Sequence, residues 1–321
     1  MIFKNHKKII LLFSLLLISS LFLGGIVNAA PKEVVIQTPP IPAALPLLRM
    51  QAEGELDNFM NLNIKISPDH QRAISLISKN DIDFMVTGVN VGAKIYNKGL
   101  GVNMVNVNTW AIDYLLTNNF KANEWSDLKG KTLSLPLKGG PLDFLARYLL
   151  EQNGIDPEEV NLVYRPLPNG AKYFMSGQVD SIILPEPLVS VSLAKSKKAN
   201  LSLDIQKEWG KLHDGDERIP FVGLFVSEKF ANEYTGLVDI IAGKYKQNVK
   251  YYNNNPEEAV KDAAKYFDIP APIMKNAWSR VNLNIYSDNE TKELVDTYFN
   301  EILEMYPEMI GGNLPDEEFY H

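Results

Sequence analysis

Cysteine is absent from the 321-residue chain, and histidine occurs only four times. Without a thiol there is no disulfide, no thiolate nucleophile, no cysteine-based zinc site and no cysteine to carry a lipid. His6 and His321 lie near the chain ends, which leaves His70 and His213, both in polar stretches and expected at the surface. No G-x-S-x-G turn occurs that would present an activated serine. Lys138-Gly139-Gly140 has the residue types of a phosphate loop but not the G-x-x-x-x-G-K-[ST] order that sets a lysine beside the phosphates. Positive charge is in deficit as well, with 32 basic against 39 acidic residues, so no basic stripe is on offer to nucleic acid. These absences predict a protein that is not an enzyme, with no catalytic residues, no cofactor and no metal, and with no nucleic-acid partner.

What remains is an ordinary globular composition, 45% apolar and 22% charged, with room for two domains or one large one. The first 29 residues stand apart. Lys4, Lys7 and Lys8 make a positive start, Ile9 to Leu23 is an apolar run, and Val27-Asn28-Ala29 ends in small residues. That pattern predicts a secretory signal peptide over 1–29, cut after Ala29 or Ala30. Taking its three lysines from 32 leaves 29 basic against 39 acidic residues, a charge near −10. A freely diffusing periplasmic protein is the expected product.

The rest is organised around Gly130 to Leu150, GKTLSLPLKGGPLDFLARYLL. Lys131 to Leu135 reads as a short strand, Pro136 to Gly140 as a loop, and Pro141 as the first position of a helix, where a missing N–H costs nothing. Leu142, Leu145, Ala146 and Leu149 form one apolar stripe at helical spacing, and Gly154 ends the helix. Such a turn frees backbone N–H groups at a helix N-terminus, a place to hold a polar ligand.

The same order of elements occurs twice. Strands are expected at Glu33–Gln37, Asn63–Ser67 and Ile82–Val86, and again at Lys131–Leu135, Asn161–Arg165 and Val179–Leu184, with helices between them. Glu33 to Lys131 spans 98 positions, and Asp83 to Asp180 spans 97. In both copies an acid follows an aliphatic residue, Ile82-Asp83 and Val179-Asp180, around the start of the third strand. Alternating strands and helices imply an α/β fold with parallel sheets, whose ligands bind beyond the carboxyl ends of the strands. Val105 to Asn118 is read as the strand that crosses between the copies, and Ile219 to Ser227 as the run that brings the chain back. Beyond Glu228 the chain reads as helical.

DLKGKTLSLPLKGGPLDFLARYLLEQNGIDPEEVNLVYRPLP, followed by SGQVDSIILPEPLVS, resembles the substrate-binding proteins of nitrate, sulfonate and taurine ABC importers and the related thiamine-pyrimidine-synthase-like proteins. DFMVTGVNVGAKIYNKG and the ending GGNLPDEEFY carry the same likeness. The resemblance implies a two-lobed, type II periplasmic-binding-protein fold with two parallel-dominated sheets, a ligand cleft and two hinge crossings. It implies lobe 1 over 30–116 and 224–321, lobe 2 over 117–223, and hinges near Tyr114 to Asn118 and Ile219 to Val226. The implied partners are a small-molecule solute and an ABC permease in the membrane, with the binding protein a monomer.

Carried over by position, the ligand-facing residues are Pro40 and Ile41; Thr87, Gly88 and Asn90; Trp110 and Asp113; Lys138, Gly139, Gly140 and Asp143; Glu186; and Phe221. Asp143 lies in a first helical turn, where the helix dipole favours an acid with or without a ligand. Thr87 and Asn90 suit capping as well as binding, and Trp110 suits the core. Lys138 is the one cation foreseen near the site, against the acids Asp113, Asp143 and Glu186, so the sign of the solute's charge stays open. The alternatives to an importer component are an enzyme on the same scaffold acting on a pyrimidine or small acid, and a periplasmic ligand sensor.

Overall fold

The computed structural model describes residues 33–321, so the signal segment and its cleavage point lie outside the described residues, as does the side chain of His70. The first repeat runs β1 (Glu33–Thr38), α1 (Ala44–Ala52), β2 (Asn61–Ile66), α2 (His70–Ser78), β3 (Phe84–Gly88) and α3 (Val89–Asn97). A long strand β4 (Val102–Ala111) leads into β5 (Asp113–Asn118). The second repeat then follows with β6 (Thr132–Leu135), α4 (Pro141–Gln152), β7 (Asn161–Tyr164), α5 (Leu167–Met175), β8 (Ser181–Pro185) and α6 (Leu188–Lys195). β9 (Ala199–Asp204) and α7 (Ile205–Gly210) complete this half, and β10 (Val222–Ser227) returns. The remainder is α8 (Glu228–Glu233), α9 (Thr235–Asn254), α10 (Pro256–Phe267), α11 (Ala271–Trp278), β11 (Asn282–Leu283) and α12 (Asp288–Met305).

Local chemistry explains many boundaries. Asp69 caps α2 by accepting the Arg72 N–H at 2.9 Å. Pro141 opens α4 and Pro256 opens α10, both at a position with no intrahelical N–H partner. The predicted stripe of α4, Leu142, Leu145, Ala146 and Leu149, is buried throughout.

Two mixed sheets result, ordered β11-β4-β10-β3-β1-β2 and β7-β6-β8-β5-β9. Pairing is parallel within β2-β1-β3 and β7-β6-β8, where helices return the chain each time. The expectation of parallel-dominated sheets therefore holds only for these three-strand cores. β10, β4 and β11, like β5 and β9, pair antiparallel; β4, β5 and β10 carry the chain between the sheets and back. The repeat has a chemical counterpart: Asp83 Oδ2 accepts the Val35 N–H, and Asp180 Oδ2 accepts the Thr132 N–H, both at 2.8 Å.

The first crossing is a single residue. β4 ends at Ala111 in one sheet and β5 begins at Asp113 in the other, so the chain changes sheets at buried Ile112. Tyr114 to Asn118, expected as a hinge, pairs wholly within the second sheet. The expected lobe boundaries at 116/117 and 223/224 fall inside β5 and β10. The return path lies beside β4, with the Ile219 N–H donating to the Trp110 carbonyl and that of Phe221 to the Thr109 carbonyl, both at 3.1 Å.

His213 is not the surface residue its polar surroundings suggested. Its ring stacks on Trp209 with centroids 3.7 Å apart, and Nδ1–H donates to the Trp209 carbonyl at 2.9 Å. Its Nε2 lies 3.4 Å from Glu301 on α12.

Candidate functional site

The carboxyl ends of β1, β3, β6 and β8 converge, as the parallel cores require. Between them lies a cavity of about 60 Å³. Pro39, Thr87 and Gly88 face it from the first sheet, and Pro136, Gly140 and Pro185 from the second. Ile112 at the first crossing and Phe221 on the return path close its ends. Thr87 supplies the only side-chain hydroxyl in this lining, and no titratable side chain contributes to it.

Helices α3 and α4 both begin here, and neither is capped by a side chain. An α-helix leaves its first N–H groups without intrahelical acceptors. The Val89 N–H is taken by the Phe221 carbonyl at 3.1 Å, and those of Asp143 and Phe144 turn back to Gly140. The N–H groups of Asn90, Val91 and Leu142 have no acceptor among the described residues. The two helix ends are in contact: a Cβ on Gly88 would fall 2.3 Å from Pro141 Cγ. Asn90 Nδ2 donates to the Gly139 carbonyl at 3.3 Å across the same seam, while its Oδ1 is buried without a partner.

Of the residues carried over by position, Ile41, Thr87, Gly88, Gly140 and Phe221 line the cavity. Pro40 does not, although its neighbour Pro39 does. Asn90 and Gly139 sit at the seam rather than in the lining. Trp110 is core, fully buried, donating Nε1–H to the Asn284 carbonyl at 2.9 Å and meeting Tyr286 edge-on. Lys138 is exposed and opens onto a different groove.

The three acids are placed away from the lining. Asp143 Oδ2 accepts the Gly139 N–H at 2.7 Å, while Oδ1 accepts from Arg147 Nε at 2.9 Å and the Tyr164 hydroxyl at 2.7 Å. It thereby fixes the loop that carries Gly140. Glu186 accepts the Ser190 N–H and hydroxyl at the start of α6, and pairs with Arg280 at 2.7 Å. Asp113 is bonded to the Gln206 amide through its backbone N–H and carbonyl, and its Oδ1 has no partner. Complete burial, with repulsion from Asp204, raises the Asp113 pKa well above the ordinary carboxylate value.

Val91, Pro136, Leu137, Leu167 and Pro185 also line the cavity and lie outside the loops that sequence reasoning picked out, whereas Ile112 falls within the expected loop Trp110 to Asp113. Apolar residues at strand ends look the same in sequence whether they face a cavity or the core. Arg280 as the partner of Glu186 lies 94 positions away and carries no local signal. Among the described residues no group of three His, Asp or Glu side chains is placed to hold a metal ion.

A family model described as NMT1/THI5 like matches residues 58–259. Among solved structures, the chain is similar to an ABC transporter protein from Parabacteroides distasonis, with 20% identity, 91% of this chain and 99% of that one covered, and a TM-score of 0.70. It is similar to the periplasmic aliphatic sulphonate binding protein SsuA from Escherichia coli, with 14% identity, coverage of 88% and 91%, and a TM-score of 0.68. It is also similar to the periplasmic nitrate-binding protein NrtA from Synechocystis PCC 6803, with 11% identity, coverage of 87% and 83%, and a TM-score of 0.71. At such identities the likeness is one of fold, that of the two-lobed type II periplasmic binding proteins. No curated protein matches the sequence.

Proposed function

Because the chain belongs to the NMT1/THI5-like family, we propose that it is an exported solute-binding protein that captures a small organic or anionic solute between two lobes. On this reading it works in the periplasm as a monomer and delivers the solute to an ABC permease in the membrane. Its lobes are the two sheets with their helices, divided at Ile112 and at the return path ahead of β10.

One observation carries the reading: a single cavity draws its lining from both sheets and from both crossings. A ligand favours a closed form only by contacting it more strongly than the open one, which requires groups from both sides. Thr87 and the α3 end on one side, with the α4 end on the other, meet that requirement.

The cavity also narrows the solute. Asp143 and Glu186 are committed to protein partners, so an amine has no carboxylate to meet in the lining. The lining is almost wholly apolar; the donors nearest it are backbone N–H groups at two helix N-termini, which suit a single acceptor group, neutral or anionic, on an apolar body. Binding without chemistry fits a lining that has no titratable group.

A thermal-shift screen across sulfonates, nitrate, pyrimidines and small amines tests this. The expected hit is an acceptor-bearing solute that also lowers the radius of gyration in solution scattering. A hit confined to amines, or a bound protein with an unchanged scattering curve, would overturn it.

A further inference from the structure

On the far side of Val91 and Leu137, which also line the cleft cavity, lies a separate groove of about 290 Å³. Ile74, Ile95 and Leu100 are among its apolar lining. Three lysines line it as well: Lys94 on α3, Lys98 just past the end of that helix, and Lys138 from the loop before α4. No carboxylate lines it, and none of the three lysines forms an ion pair among the described residues.

Lysines near a helix C-terminus are favoured by the helix dipole, which accounts for Lys94 and Lys98. It does not account for Lys138, which arrives from the other sheet. The nearest acid in sequence, Asp143, is turned inward to Gly139, Arg147 and Tyr164 and does not pair with Lys138; Glu158 and Glu159 lie on a different groove that Lys138 also borders, and neither pairs with it. Lys94 reaches over the seam, its Nζ 3.8 Å from where a Cβ on Gly139 would lie. Cations from both sheets thus converge on one groove in a chain of net negative charge. With nothing between them they repel and oppose the contact of α3 with the loop 136–140. An anion seated among them reverses the sign of that interaction.

We propose that this groove is a second binding site, for a small multivalent oxyanion of the phosphate class, and that its occupation favours the closed seam. Ammonium groups on flexible stems act as point charges toward such an anion and need no fixed bidentate geometry. The site goes beyond solute capture and does not depend on which solute the cleft takes.

The test is a calorimetric titration of the solute-free protein with inorganic pyrophosphate, with ionic strength held constant by potassium chloride. One site per chain is expected, weakened at least fivefold by Lys138→Gln and abolished in the Lys94→Gln, Lys98→Gln, Lys138→Gln triple variant. Lys275→Gln, on α11, serves as the control and leaves the affinity unchanged. These are surface substitutions, and circular dichroism confirms the fold of each variant. Equal affinity in the triple variant, or the same response to chloride at matched ionic strength, would overturn the site. A screen that finds no cleft solute leaves this titration unaffected, so the two readings fail separately.

Discussion

Arg280 Nε donates to Glu186 Oε1 across 2.7 Å, with the carboxylate wholly buried and the arginine side chain 27% exposed. Glu186 follows β8 in the second sheet, and Arg280 precedes β11 of the first, so the pair ties the two sheets together. Ser190 adds to it by donating its hydroxyl to Glu186 and accepting from Arg280 Nη2 at 2.8 Å.

Removing one member of a buried pair leaves the other uncompensated, a loss of about 3 kcal/mol. Arg280→Met is therefore expected to destabilise strongly, and Glu186→Gln less, because the amide stays neutral when unpaired. The double variant should recover part of the loss. Urea unfolding of all four proteins gives the coupling; single costs that simply add would mean the pair contributes nothing.

Asp143→Ala removes the acceptor of three hydrogen bonds, one of them from Arg147, and is expected to cost about 2–4 kcal/mol. Asp143→Asn, which keeps an acceptor, should cost about 1 kcal/mol. Because Asp143 does not line the cavity, solute affinity should change less than tenfold in the Asn variant. A larger fall in affinity with stability intact would put the carboxylate in contact with the solute.

Gly88 is where the two helix ends touch. In Gly88→Ala the new methyl meets the Pro141 ring, whose position is held by the start of α4, so the ends must part. Solute binding is expected to fall at least tenfold while the circular dichroism spectrum is retained. Unchanged affinity would show that the seam opens without consequence for the site.

Asp113 gives a pH signature. Its folded pKa lies above the unfolded value of 3.8, chiefly through burial, so the folded state holds the proton more tightly. Its contribution to stability is complete below the unfolded pKa and is lost as pH rises toward the raised folded value. Asp113→Asn removes this loss. The variant should gain stability relative to wild type at pH 7 compared with pH 4, as read from thermal midpoints. An identical pH dependence in the two proteins would show that burial does not raise the pKa of this carboxyl.

What the sequence determined by itself was local in origin. Helical spacing in α4, the Asp69 cap and the prolines that open α4 and α10 act within a few residues, so they are legible without a partner. The repeat was legible too. Ile82-Asp83 and Val179-Asp180 recur 97 positions apart, and each acid takes a backbone N–H of the first strand in its own repeat. The Arg147 that neutralises Asp143 stood one turn away in plain view, an i, i+4 pair that went unread. Only the tertiary structure decided the rest. Whether Glu186 faces a solute or an arginine depends on Arg280, which meets it through the docking of α11 and β11, not through any spacing in the chain. Which apolar residues form a cavity rather than a core is set by how two sheets approach at Ile112, and hydrophobicity is non-directional. Position in the sheet order, not residue type, separates a lining residue from a packed one.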